Sequence, residues 1–227
     1  MSKTASLFSA LLCTFIWGTT FIAQDTGMDK IGPLTFNAAR FFVGFISIIP
    51  LALFVEKKKI SEEINNNKKL FFKFLFWIGL FLFLGTYLQQ AALLYTDVAN
   101  AAFFTIFYVP MVPIILFFIY SKSVHWSIWP SVLFCIFGVY LLSDFSDATI
   151  RLGDGLVILC ALFWALHIIF IGNFAKSFNL PLFFGALQAL VVSFLSFIFA
   201  IFFETITIEN IFNESISIIY AGVLSGG

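Results

Sequence analysis

The stretch Leu12-Cys13-Thr14-Phe15-Ile16-Trp17 returns 147 residues later as Leu159-Cys160-Ala161-Leu162-Phe163-Trp164. Both copies lie inside long apolar segments. A second pattern, Pro-Leu-x-Phe-x-Ala, begins at Pro33 and begins again at Pro181, an offset of 148 residues. Similarity at a nearly constant offset is the signature of an internal repeat. We therefore predict that the chain contains two related units built from the same series of elements.

The composition of the 227-residue chain requires a lipid environment. Hydrophobic residues make up 61% of it and charged residues only 11%, whereas soluble domains are about half apolar and about a quarter charged. The formal net charge is zero, and the sequence has no block of basic residues of the kind that binds phosphates, so we expect no nucleic-acid partner. The three cysteines, Cys13, Cys135 and Cys160, lie in apolar segments without metal-ligand spacing. We expect them to be packing residues, and we expect no metal and no cofactor.

The hydropathy pattern predicts an all-α polytopic membrane protein. A helix that crosses the bilayer needs about 20 apolar residues. Seven such segments and the start of an eighth are present, at residues 6–24, 35–55, 71–95, 98–120, 128–143, 154–174, 180–203 and 216–227. The stretch from Glu56 to Lys69 is the one sizeable polar segment, and we expect it to be a solvated loop.

The distribution of lysine and arginine predicts the orientation in the membrane. The loops on one side carry nine lysines, namely Lys3, Lys57, Lys58, Lys59, Lys68, Lys69, Lys73, Lys122 and Lys176. The opposite loops carry Lys30 and Arg151. Because positive charge stays in the cytoplasm, we expect a cytoplasmic N-terminus, in the inner (plasma) membrane of a bacterial cell.

The repeat unit contains five predicted helices, and this odd number inverts the second copy relative to the first. Inverted-topology repeats are typical of transporters with a binding site near the middle of the membrane. The first unit is expected at residues 1–147 and the second at 148–227. The chain stops inside an apolar segment, where the last carbonyls of a helix would be unpaired in hydrocarbon. We therefore expect a ten-helix parent protein, of which this chain ends within helix eight.

Two polar and aromatic stripes occupy equivalent helices of the two units. Helical spacing places the members of each stripe on one face. The first helix carries Cys13, Trp17, Thr20 and Gln24, and the sixth carries Cys160, Trp164 and His167. We interpret the tryptophans as walls of a central cavity, which the two stripes would face from opposite sides, and Thr20, Gln24 and His167 as its donors and acceptors. The alternative is that the tryptophans pack or face lipid and that Thr20 bonds to its own helix.

The third and fourth helices add further candidates. Tyr87 and Gln90 share a region of helix three, and a side-chain amide is costly in lipid unless it is paired. They are either substrate contacts or interhelical hydrogen-bonding groups. Asn100 lies near the start of helix four, which Pro110 and Pro113 are expected to bend.

Arg40 is the charged residue placed within a predicted span and away from its end. It could capture a carboxylate, or it could be a structural partner of Asp25, of Asp29 or of helix carbonyls. Its counterpart in the repeat is the neutral Gln188, and this favours the structural interpretation.

In their order and spacing, several motifs resemble those of the EamA-type carriers in the drug/metabolite transporter superfamily. They are Phe15-x-Trp17-Gly18, Pro33 with Arg40, Gly85-Thr86-Tyr87, Ala91-Ala92-Leu93-x-Tyr95-Thr96, Ala99-Asn100-Ala101-Ala102, Pro110, Gly138-Val139-Tyr140-Leu141, Gly153-Asp154 and Trp164-Ala165. The resemblance implies ten helices in two inverted halves around a substrate cavity. It also implies export of amino acids or other small metabolites.

The function expected from the sequence is therefore secondary transport. The substrate would be a small metabolite, the transporter would work by alternating access around a mid-membrane cavity, and the direction would be efflux. A pump driven by ATP would need a phosphate-binding loop that this sequence does not contain. Catalysis would need a cluster of reactive groups, whereas His167 stands alone within a span and His125 lies in a loop. The remaining alternative is a membrane receptor or assembly scaffold.

Overall fold

A computed structural model describes residues 3–142 and 151–225, and the side chains of residues 139–142 lie outside that description. The predicted repeat boundary after residue 147 and the final Gly226-Gly227 also lie outside the described residues. The chain divides into two compact units. One contains residues up to 61 together with those from 180 onward, and the other contains residues 62–179. Each unit thus draws helices from both halves of the sequence.

The described residues form helices and connecting turns, without strands. The first unit contains α1 (Lys3–Thr26), α2 (Pro33–Val55), α9 (Pro181–Phe203), α10 (Ile208–Asn213) and α11 (Ser215–Leu224). The second contains α4 (Lys68–Ala92), α5 (Val98–Thr105), α6 (Tyr108–Phe118), α7 (Ile128–Leu142) and α8 (Leu152–Ser177). Helix α3 (Lys57–Asn66) includes the point where the chain passes from one unit to the other.

Within the described ranges, six helical segments are long and apolar enough to cross a bilayer. They correspond to α1, α2, α4, the pair α5 and α6, α8 and α9. Two shorter apolar helices, α7 and α11, accompany them. The predicted class, an all-α polytopic membrane protein, is confirmed. The inverted repeat of two five-helix units remains a prediction.

The polar stretch after α2 is a helix and not a loop. Helix α3 buries no residue. Its sequence is rich in lysine, glutamate and isoleucine, and lysines 58 and 59 precede glutamates 62 and 63 by four residues, a spacing that supports a solvated helix. Asn67 then caps α4, because its side-chain oxygen accepts a hydrogen bond from the backbone N–H of Leu70 at 3.3 Å.

The fourth apolar segment is interrupted between α5 and α6. In a continuous helix, the carbonyl of Ile106 would accept a hydrogen bond from residue 110, but Pro110 has no N–H to donate. The N–H of Val109 bonds to that carbonyl instead, at 2.9 Å. Pro110 then occupies the first turn of α6, where a missing donor costs little. The expected bend at the prolines is therefore a break just before Pro110.

The first unit is built mainly on the packing of α2 against α9. The hydroxyl of Ser193 in α9 donates to the carbonyl oxygen of Ala38 in α2 at 2.8 Å. Helix α11 packs on α2 through Gly222, where an added Cβ would lie 2.7 Å from the carbonyl oxygen of Arg40. A side chain at that position would separate the two helices, so the close contact requires glycine.

The second unit is built mainly on the packing of α4 against α8. At one end of the pair, the ring of Phe71 meets those of Phe174 and Phe178 edge to face, at centroid distances of 6.0 and 5.5 Å. Such aromatic pairs add to the stabilisation from buried area. At the other end, an added Cβ on Gly153 would lie 2.7 Å from the carbonyl oxygen of Ala92. The helices therefore approach most closely where α8 begins.

Candidate functional site

Two glutamates join α2 and α9 at opposite ends of the pair. Glu204, at the end of α9, accepts hydrogen bonds from the backbone N–H groups of Leu34 and Thr35, both at 2.8 Å. Glu56, at the end of α2, accepts hydrogen bonds from the N–H groups of Leu182 and Phe183, at 3.1 and 2.8 Å. Each carboxylate therefore satisfies N–H groups that the first turn of a helix leaves without partners, and it lies at the positive end of the helix dipole.

The residues that make these contacts are related by the same offset of 148 residues that relates the two repeated units. Pro33 and Pro181 each begin a helix, and Glu56 and Glu204 each follow the end of one. Both pairs of residues are 148 positions apart. A rotation that places α2 on α9 and α9 on α2 would therefore also place each set of hydrogen bonds on the other. The reciprocal pattern supports the predicted inverted repeat, because an internal two-fold axis would produce it.

In α1, the candidate residues differ in burial. Thr20 and Gln24 are buried, whereas Trp17 is 49% exposed. The hydroxyl of Thr20 donates to the carbonyl oxygen of Trp17 at 2.8 Å, and the amide of Gln24 donates to the carbonyl oxygen of Thr20 at 3.2 Å. The bond of Thr20 to its own helix, which was the alternative at this position, is thus present. It uses the hydroxyl hydrogen and leaves the oxygen able to accept.

In α8, Trp164 and His167 form a pair on the side facing α4. Their rings meet edge to face, with centroids 5.6 Å apart and an interplanar angle of 87°. The indole of Trp164 lies over Gly85 of α4, where an added Cβ would be 3.4 Å from ring atoms Cδ1 and Nε1. His167 is buried. The predicted stripe on α8 therefore faces protein in this unit and not lipid.

In α4, both glutamines are buried. The amide of Gln89 donates to the hydroxyl of Thr105 in α5 at 3.0 Å, so Gln89 links two helices. Tyr87 is half-buried, and its ring stacks on that of Phe83 with centroids 6.1 Å apart. Gln90 is completely buried. Thr105 was not predicted from the sequence, because a threonine that ends a short apolar helix gives no signal of its partner.

The second unit therefore brings several of the predicted residues onto neighbouring helices. Trp164 and His167 in α8 lie beside the segment of α4 that carries Tyr87 and Gln90, since Gly85 contacts Trp164. Asn100 is half-buried in α5, which also packs on α8. Trp17, Thr20 and Gln24 belong to the first unit. That the two tryptophan stripes face a common cavity remains a prediction.

Arg40 lies within α2 and is 2% exposed. Its Nε donates to the side-chain oxygen of Asn37 at 2.8 Å. Its guanidinium carbon lies 4.8 Å from the ring centroid of Phe41 and 5.7 Å from that of Phe36. Within residues 3–142 and 151–225, Arg40 forms no ion pair, and the proposed pairing with Asp25 or Asp29 is not present.

The start of α8 carries a separate polar cluster. Asp154 accepts hydrogen bonds from the hydroxyl of Thr96 at 2.6 Å and from the backbone N–H of Arg151 at 3.0 Å. The side chain of Arg151 pairs with Asp97, and both groups are substantially exposed. Asp154 thus caps its own helix and ties the end of α4 to it. This cluster is structural, because its polar atoms bond to one another.

Comparisons with known proteins show which family the sequence resembles. The model of the EamA-like transporter family matches residues 4–144. An uncharacterized transporter of Archaeoglobus fulgidus is 32% identical over 194 residues, which cover 86% of this chain and 57% of that protein. The uncharacterized transporter YoaV of Bacillus subtilis is 38% identical over 55 residues, which cover 24% of this chain and 18% of that protein. The chain thus spans less than two thirds of either relative.

One solved crystal structure has the same fold. The TM-score is 0.65 at 16% sequence identity, and the match covers 98% of this chain and 75% of the other. The apolar spans define a polytopic α-helical membrane protein, and the matching family model makes its class that of the transporters. The chain belongs to the EamA-like transporter family.

Proposed function

We propose that the protein is a secondary transporter that exports amino acids or other small metabolites. Transport would proceed by alternating access around a mid-membrane cavity. The observation that carries the proposal is the burial of uncharged polar groups within apolar spans, on α1, α4 and α8. Polar groups at this depth are costly in lipid and mark pathways for polar solutes. Membership of a transporter family supports the same function.

The residues that we assign to substrate contact are those predicted from the sequence. Trp17 and Trp164 would supply apolar walls, and Tyr87 would supply a ring with a hydroxyl group. Hydrogen bonds to the substrate would come from Thr20, Gln24, Gln90, Asn100 and His167. The pairing of an aromatic wall with a few fixed polar groups is typical of sites for small molecules.

We also propose the direction and the location. The excess of lysine on one set of loops supports a cytoplasmic N-terminus. The proposed location is the inner membrane of a bacterial cell, from which the substrate would leave the cytoplasm. The small metabolite and the surrounding lipid are the proposed partners.

Export can be tested in a bacterial host that produces the full-length protein. Extracellular metabolites are compared among cells with the wild type, the double variant Trp17→Ala/Trp164→Ala, and Trp126→Ala. Trp126 is the matched control, because it is 74% exposed and lies outside the candidate spans. We expect a small set of compounds to rise outside cells with the wild type and the control, and not with the double variant. Equal extracellular metabolites in all strains, at equal protein levels, would contradict the proposal and favour a receptor or scaffold.

A further inference from the structure

Arg40 is a cation buried within a membrane-spanning helix, with little around it to balance its charge. It is the eighth residue of α2, about 10 Å from the start of the helix at 1.5 Å per residue. A buried charge is costly unless a counter-charge and hydrogen bonds compensate for it. The rings of Phe36 and Phe41 offer cation–π attraction, which offsets only part of that cost.

The two glutamates at the ends of the α2 and α9 pair are engaged by backbone N–H groups. Glu204 accepts three hydrogen bonds, from the N–H groups of Leu34 and Thr35 and from the Thr35 hydroxyl. Those residues precede Arg40 by five or six positions, about 8 Å along the helix. Glu56 is bound at the opposite end of α2. Among the residues that the structure describes, no carboxylate forms an ion pair with Arg40.

Arg40 and its neighbour Asn37 carry more hydrogen-bond donors than the bond between them uses. Arginine has five N–H groups and no acceptor, and the side-chain hydrogen bond that Arg40 forms within the described residues uses Nε alone. Because that bond occupies the amide oxygen of Asn37, the orientation of the amide is fixed, and its Nδ2 group points elsewhere. That Nδ2 is buried without a hydrogen-bond partner in the described residues. Donors from two adjacent side chains thus remain unused in the protein interior.

Helix α9, which packs on α2, carries a third buried polar group. Ser196 in α9 is completely buried, and its hydroxyl oxygen has no partner among the described residues. Ser193, one turn earlier on the same helix, is bonded to the carbonyl oxygen of Ala38 in α2. Ser196 therefore lies on the same face of α9 as Ser193, the face that packs on α2.

We propose that Arg40 and Asn37 form a binding site for a compact anion, and that the anion is the carboxylate of the transported metabolite. A guanidinium matches a carboxylate in geometry as well as in charge. The assignment to the metabolite rests on the proposed transport function, whereas the anion site itself does not. Arg40 is 2% exposed, and α11 packs closely on α2 beside it, since a Cβ added to Gly222 would lie 2.7 Å from the carbonyl oxygen of Arg40.

Two other anions could occupy the proposed site, namely a chloride ion held permanently and the phosphate of a lipid headgroup. The experiment separates them. The full-length protein is placed in phosphatidylcholine nanodiscs in HEPES buffer, and its thermal unfolding is followed while sodium acetate, sodium chloride or sodium phosphate is added. Acetamide, which has the shape of acetate without its charge, is the uncharged control. A parallel preparation contains phosphatidylglycerol.

We expect acetate to raise the melting temperature in a saturable manner and acetamide to leave it unchanged. Arg40→Gln and Asn37→Asp should weaken the response to acetate about tenfold or more, the loss expected for a charge-assisted hydrogen bond. Asn37→Asp places a carboxylate beside the guanidinium, so it should fold at least as well as the wild type even if Arg40→Gln does not. Arg151→Gln, at an exposed ion pair in the other unit, should respond like the wild type.

A response of both variants equal to that of the wild type would overturn the proposal, as would the absence of any response to the three anions. A response to chloride alone, or only in phosphatidylglycerol, would retain the anion site and overturn its assignment to the metabolite. Export from cells separates this inference from the transport function. Equal export by Arg40→Gln and the wild type would overturn the assignment of the anion to the metabolite and leave the transport function standing. An acetate response without export by the wild type would overturn the transport function, and with it that assignment, and would retain the anion site.

Discussion

The carboxylate of Glu204, which follows the last residue of α9, accepts hydrogen bonds from both the backbone N–H and the hydroxyl of Thr35 in the first turn of α2. Glu56 forms the corresponding contact with the first turn of α9. A helix that begins inside protein or lipid must find partners for its first N–H groups, since water is not available. Here each of two paired helices supplies the partner for the other.

Substitution of either glutamate should destabilise the first unit. We expect Glu204→Ala and Glu56→Ala each to lower the free energy of unfolding by about 1–3 kcal/mol, because several backbone donors lose a charged acceptor. Thermal unfolding in detergent measures the effect. Glu209→Ala, on the exposed helix α10, is the control and should stay within about 0.5 kcal/mol of the wild type. Stability unchanged in both glutamate variants would show that the reciprocal bonds do not support the helix pair.

The start of α8 requires a residue without a side chain. We expect Gly153→Ala to destabilise the second unit by about 1–3 kcal/mol, because its Cβ would lie 2.7 Å from both the Ala92 carbonyl oxygen and the Thr96 Cβ atom. Gly155→Ala is the matched control two residues away, since nothing lies within 4 Å of its added Cβ. Unfolding measurements should therefore separate the two alanine variants, and similar stabilities would argue against the close approach of α4 and α8.

The hydrogen bond between Gln89 and Thr105 should be weak but measurable. Interhelical hydrogen bonds within membranes average about 0.6 kcal/mol. We expect a double-mutant cycle with Gln89→Leu and Thr105→Val to give a coupling energy of about that size. The same cycle with Thr86→Val in place of Thr105→Val is the control, because the Thr86 hydroxyl bonds to carbonyls of its own helix. Coupling energies that are equal in the two cycles would exclude a specific link between α4 and α5.

The position of the Trp164 ring should depend on the size of residue 85. We expect Gly85→Leu to displace the ring and to reduce export several-fold, because even a Cβ would stand 3.4 Å from it. Gly172→Leu lies in α8 at a position with nothing within 4 Å of the added Cβ, and it should export like the wild type. Export is measured at matched protein levels in the membrane. If Gly85→Leu transports normally, the ring placement is not needed for function.

Much of the helical arrangement could be predicted from hydropathy, because apolar spans are set by the thickness of the bilayer. The starts of α2 and α9 follow from Pro33 and Pro181, whose missing N–H groups cost nothing at a first helical position. Helix α3 was missed because charged residues form helices as readily as loops when their spacing allows it. The break before Pro110 could be expected at the prolines, but its position depends on which carbonyl loses its donor.

The site was less accessible to sequence reasoning. The offset between Glu56 and Glu204 marks them as equivalent, yet their partners lie on other helices and depend on tertiary packing. The same holds for Gln89, whose amide pairs with Thr105. For Arg40, the sequence favoured a structural partner of Asp25, of Asp29 or of helix carbonyls, and an ion pair with either aspartate is absent from the described residues. Charge in a sequence identifies possible partners, whereas the fold decides which of them meet.

Export through a polar site that includes Trp164 can be measured in membrane vesicles of defined orientation, with the compounds found outside cells as substrates. Inside-out vesicles with the full-length wild type should accumulate those compounds, right-side-out vesicles should not, and inside-out vesicles with Trp164→Ala should accumulate little. Wild-type vesicles that take up no more than vesicles without the protein, in either orientation and with the protein present, would contradict the claim.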